Sequence, residues 1–163
     1  MQVHGKAVIR YVLAVVLAVT IVGMSATALE EASTIRGEQA VESEIDSVER
    51  AATSLVEAET VPPDEATPRR LVELDVPTES LTKDETTVLR FEPVSDADAT
   101  RVTYKVGDSP AQRTVIGVTI RSADGGTFDL SNDRGKQRVV LGLVGDGDGE
   151  PIVEIGKFGE VGF

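Results

Sequence analysis

Gly145-Asp146-Gly147-Asp148-Gly149-Glu150 is the stretch of this chain whose residue types and spacing most invite an ion. Three carboxylates at alternating positions offer oxygens to a hard cation such as Ca²⁺, and glycine lets the backbone curl around it. The stretch supplies only part of the six or more oxygens such a site needs. It also lacks the twelfth-position ligand of an EF-hand loop, and no second helix follows. The plainer reading is a hairpin tip in a chain that places Asp in most of its turns. The expectation is therefore no bound metal, with Asp146, Asp148 and Glu150 as the candidate ligands. Other chemistries are poorly supplied. The single histidine, His4, stands near the N-terminus, so no Ser-His-Asp triad can form in the rest of the chain. With no cysteine there is no thiolate nucleophile, thiolate metal site or disulfide. Neither a Gly-rich phosphate loop nor an HExxH zinc motif occurs. No enzymatic activity and no cofactor are expected.

Charge narrows the partners. The formal net charge is −12, and all 28 acidic residues lie beyond position 29. Such a surface repels nucleic acid phosphates and anionic lipid headgroups, which argues against either as a partner. Lysine is scarce beside arginine, and carboxylates are scattered over every segment. A dense carboxylate surface stays hydrated in concentrated salt, where screening removes its self-repulsion. This composition reads as that of a halophilic, haloarchaeal protein.

The elements that position these residues begin with an uncharged run: Tyr11-Val12-Leu13-Ala14-Val15-Val16-Leu17-Ala18-Val19-Thr20-Ile21-Val22-Gly23-Met24-Ser25-Ala26-Thr27-Ala28-Leu29. As a helix it would be about 28 Å long, close to the hydrocarbon thickness of a bilayer. Lys6 and Arg10 precede it, and Glu30 and Glu31 follow. The expectation is a membrane-spanning helix in contact with lipid, at a cell membrane, with a cytoplasmic N-terminus and an extracytoplasmic C-terminal part. Ala14/Ala18 and Gly23/Thr27 have the small-xxx-small spacing that lets helices approach closely.

Three zones follow from composition: a basic tip and apolar helix over 1–29, an amphipathic helical stalk over 30–63, and a β-rich domain over 64–163. In the stalk Val41, Ile45, Val48, Ala52 and Leu55 recur at 4, 3, 4 and 3 residues, one face of a helix. That stripe either packs on the chain's own domain, along Val48 to Leu55, or serves self-association. Gly37 reads as an interruption that leaves the earlier part free for neighbours, and Pro62-Pro63 ends the helix. Segments 70–76, 87–92, 101–106, 113–121, 127–130, 138–144 and 152–157 are rich in Val, Ile, Leu and Thr, with turn residues between them. The expected fold class is α+β: a transmembrane helix continuing into an amphipathic helix, then a small antiparallel β-sheet or β-sandwich.

This order of parts resembles a type IV pilin: basic tip, apolar helix, amphipathic helix, β-rich domain. Lys6-Ala7 followed by Val8-Ile9 looks like the site where archaeal pilins are cut before the apolar core, though Val12 stands where many pilins carry Glu. The chain also looks like small haloarchaeal membrane proteins that accompany pilus-type secretion ATPases. These resemblances imply a non-enzymatic structural component with protein partners in a pilus or secretion assembly. An alternative comes from Ala26-Thr27-Ala28, an A-x-A pattern at which a signal peptidase could cut after Ala28 and release a soluble binding module. A third possibility is an N-terminus that stays uncut.

Overall fold

The computed structural model describes residues 4–58, 67–80, 83–145 and 150–160; within the helix, side-chain surroundings are described for 12–20 and from 31 onward. The chain forms α1 (His4–Ala58), then β1 (Arg69–Val76), β2 (Thr86–Pro93), β3 (Thr100–Val106), β4 (Gln112–Ile116), β5 (Ile120–Ser122), β6 (Phe128–Asp129), β7 (Gly135–Gly145) and β8 (Pro151–Lys157). The helix is 55 residues long, about 82 Å at 1.5 Å per residue. Its sequence contains no proline, so the i→i−4 ladder can run unbroken.

Among the described residues the strands make two four-stranded sheets, ordered β1-β7-β8-β5 and β4-β3-β2-β6. Val102, Tyr104 and Val106 point inward from β3, and Val139, Leu141 and Leu143 from β7, so each sheet gives one face to a shared core. Phe91 and Phe128 meet inside with ring centroids 6.4 Å apart. The helix closes the same core: Val41, Ile45, Val48, Ala52 and Leu55 are all buried in it together with residues of both sheets. Each of the larger of these side chains stabilises the fold by about 1.5–3 kcal/mol relative to exposure. The part of α1 from Ser33 to Leu55 thus lies along the sandwich.

Several expectations need correcting. Among the described residues no helix is long and apolar enough to cross a membrane. The expected transmembrane helix, the single-pass membrane location and the pilin-like character that rested on it therefore fail. Residues 12–20 of α1 are apolar apart from Thr20 and exposed. That stretch is one end of a longer helix whose remainder carries many charges. The fold is instead mostly β, one continuous α-helix capping a two-sheet sandwich among the described residues. Nor is it wholly antiparallel, since β5 pairs with β8 in parallel.

The segment 113–121, which reads as one strand, is two strands in different sheets, crossing over at Gly117 and Val118. Thr100 holds the crossing together. Its hydroxyl, fully buried, donates to the Val118 carbonyl at 2.8 Å and accepts from the Ile120 N–H at 2.7 Å. Without that side chain, a buried donor would lose its partner where the chain leaves one ladder for the other.

Candidate functional site

The helix meets the sandwich most closely at Gly37 and Asp84. A Cβ built on Gly37 would stand 2.5 Å from Cγ1 of Val106 and 3.1 Å from the Asp84 carbonyl oxygen, so only glycine permits this approach. One helical turn earlier, the Ser33 and Thr34 hydroxyls donate to the two carboxylate oxygens of Asp84, at 2.9 and 2.6 Å. Gly107, at φ +53°, lets the β3–β4 turn pass beside that carboxylate. An open cleft of about 710 Å³ lies here, lined by Glu31, Glu79, Asp84, Glu85 and Asp108 among others. Its carboxylates are dispersed. Among the described residues, no three His, Cys, Asp or Glu side chains come together to hold a metal ion.

A polar seam continues along the helix. Gln112 donates to Glu38 at 2.7 Å, the Tyr104 hydroxyl donates to Glu42 at 2.8 Å, and the Gly117 N–H donates to Glu49 at 3.2 Å. Burial, followed by the hydrogen bond and charge of Glu42, pushes the Tyr104 phenol well above its usual range, so it remains a donor. Glu44 is held above the ordinary carboxylate range, chiefly by burial. The Asp75 charge adds to this, while the Asp75 backbone and Lys83 oppose it.

The outer faces of the two sheets differ in charge. On β1 and β7, Glu73 stands opposite Arg138 and Asp75 opposite Lys136. Lys136 pairs with Glu73 at 3.1 Å, Arg121 with Glu154 at 2.9 Å, and the Arg138 guanidinium sits 4.7 Å from the Phe158 ring centre. On the other sheet Arg90 pairs with Asp129 at 2.7 Å. Register then places Arg113 beside Thr103 and Val115 beside Arg101 on the same face, with Lys105 two residues on. Among the described residues, no ion pair within 4 Å engages Arg101, Lys105 or Arg113. Glu92 stands opposite Arg101 without closing one.

Of the candidate residues read from sequence, Asp146 and Asp148 lie outside the described residues; Glu150 is exposed just before β8. Lys6, Ala7, Val8, Ala26 and Ala28 fall within α1, outside the part whose side chains are described. The helix stripe is brought together in the core. Asp84, Gly37 and the cationic sheet face were missed. Arg101-Thr103-Lys105 alternation was readable, but only pairing with β4 adds Arg113 to it.

The chain belongs to a family of unknown function. The model of that family, described as a domain of unknown function (DUF7311), matches residues 8–158. No curated protein and no solved structure matches the chain. The match carries no link to type IV pilins or to haloarchaeal proteins.

Proposed function

We propose that this DUF7311 protein is a non-enzymatic structural component that assembles through the projecting end of its helix and displays the sandwich beside the assembly. One observation carries the reading. Val12, Leu13, Val15, Val16, Leu17 and Val19 are between 57% and 67% exposed, and every residue from 12 to 20 is open. A helix that is apolar all round belongs in a buried setting, and an exposed apolar surface of this kind marks an interaction site. A single flat partner would cover one side, so several helices packed together fit the pattern better than a pair. The test is the mass of the full-length chain by light scattering, alone and as Leu13→Glu/Leu17→Glu. A multi-subunit species that the double variant reduces to monomer supports the reading. A monomeric unaltered chain overturns it.

A second reading, a binding module released by cleavage after Ala28, draws on a different observation. The buried stripe and the Ser33–Asp84 bond lie beyond Ala28, so cleavage there leaves the capped sandwich intact. N-terminal sequencing of the native protein separates the two, because a chain starting at Leu29 has lost the projecting end.

A further inference from the structure

The cations of the β4-β3-β2-β6 sheet stand out in a chain whose net charge is −12. Arg101, Lys105 and Arg113 share its outer face, unengaged by ion pairs among the described residues, while the opposite sheet neutralises its charges in place. Val115 beside Arg101 adds an apolar side chain, 64% exposed. Like-charged copies repel through most of their surface, and this face is where an acidic surface of another copy would be attracted.

The complementary surface is the side of α1 turned away from the sandwich. Asp46, Arg50, Thr53 and Glu57 line a shallow groove of about 380 Å³ there, with Glu49 at its edge, where it also accepts from the Gly117 N–H. The Arg50 side chain folds back along its own helix, donating to the Asp46 carbonyl at 3.1 Å and to the Ser47 hydroxyl at 3.1 Å. The carboxylates therefore dominate the groove. Asp46 to Glu57 spans about 16 Å of helix, and Arg101 to Lys105 about 13 Å of strand, so the two charge rows match in length. We infer that the outer face of β2, β3 and β4 docks the outward acidic side of α1 of a second copy. The contact joins unlike surfaces, so each copy keeps one of each free and the arrangement can repeat around or along an assembly. This inference rests on the assembly reading and names the sandwich surfaces that meet within it.

The absence of native cysteine gives a clean test. Full-length Thr103→Cys and Thr53→Cys are mixed and treated with a short bis-maleimide, with Ala14→Cys as a reporter of the projecting helix. The expected result is a 103–53 link between copies, reduced at least tenfold by molar salt and by Arg101→Glu/Lys105→Glu/Arg113→Glu in the Thr103→Cys partner. Combining that triple reversal with Asp46→Lys/Glu57→Lys in the other partner should restore it. An Ala14→Cys link without any 103–53 link overturns the inference and leaves the assembly reading standing. Loss of both links overturns both. A 103–53 link that the triple reversal does not change also overturns the inference.

Discussion

Residues 12–20 and residues 33–55 share one helix, yet the first stretch turns valine and leucine outward on every side while the second hides its apolar side chains at intervals of three and four. The difference lies in pattern, not in hydrophobicity alone. In the second stretch the positions between Val41, Ile45, Val48, Ala52 and Leu55 are polar except for Ala51, so one partner surface suffices. In the first there is no polar side, and no single sandwich could cover it. One rod thus carries a folding surface and an exposed apolar surface in series, with Ser33, Gly37 and Asp84 where the folding surface begins.

The sharpest way to break the comparison is to truncate one leucine in each stretch. Leu55 is 1% exposed, and Leu55→Ala should cost about 2–5 kcal/mol from lost transfer energy plus the cavity left behind. Leu17→Ala, at an exposed position, should change monomer stability by about 0.5 kcal/mol or less. Urea midpoints of both variants, measured on a Leu13→Glu background, read the difference. Equal shifts would end the distinction between the stretches.

Gly37→Ala probes the closest approach. Alanine improves helix propensity by about 1 kcal/mol, but the new methyl meets Val106 and the Asp84 backbone, and overpacking of this kind costs about 1–3 kcal/mol. Since one neighbour is main chain, the clash should win and the midpoint should fall. A rise would mean that the helix docks only beyond Val41. This glycine shows where sequence reading ran out. A glycine within a helical run reads as a weak point, because its cause here is a neighbour 69 residues away.

The stripe from Val41 to Leu55 was legible because helical periodicity is local, and most strands were legible because alternation is local too. Their partners were not. The single run of apolar residues over 113–121 gives no sign that Gly117-Val118 crosses between sheets, since the reason is the buried hydroxyl of Thr100. The parallel pairing of β5 with β8 is likewise set by long-range packing. Length and lack of charge over 11–29 suggested a bilayer span. Those properties state what surrounds a helix only by analogy, and in the described residues no helix meets the requirement. Asp84 was hidden among 28 acidic residues, distinguished from the rest only by two hydroxyls from the helix.

Asp84→Ala sharpens the boundary itself. It removes the acceptor for both the Ser33 and the Thr34 hydroxyls, partly buried groups whose bonds together contribute about 1–2 kcal/mol. Stability should drop by that amount, and hydrogen exchange should quicken around residues 33–37 with little change at 48–55. Uniform quickening along the helix would show that docking is all-or-none and that Asp84 does not define an edge.

The smallest effect belongs to Glu44, on the flank of the buried stripe. Burial, the leading cause, disfavours its charged form, so its carboxyl titrates above the ordinary 4.5 in the folded chain. For an acid the sign then follows: below about 4.5 the group is neutral whether folded or not, and its ionisation does not affect stability. As pH rises through and beyond that value, the unfolded chain ionises more readily, and the folded state loses ground. Glu44→Gln removes this penalty while keeping an oxygen to accept from the Asp75 backbone. The variant should be slightly more stable than the parent at neutral pH and indistinguishable from it in acid. Partial exposure and solvent screening keep the gain below the change expected for Asp84→Ala. Urea midpoints of parent and variant, taken in acid and at neutral pH, read the difference. A gain of equal size in acid and at neutral pH would mean that packing of the new side chain, and not the buried charge of Glu44, sets the effect.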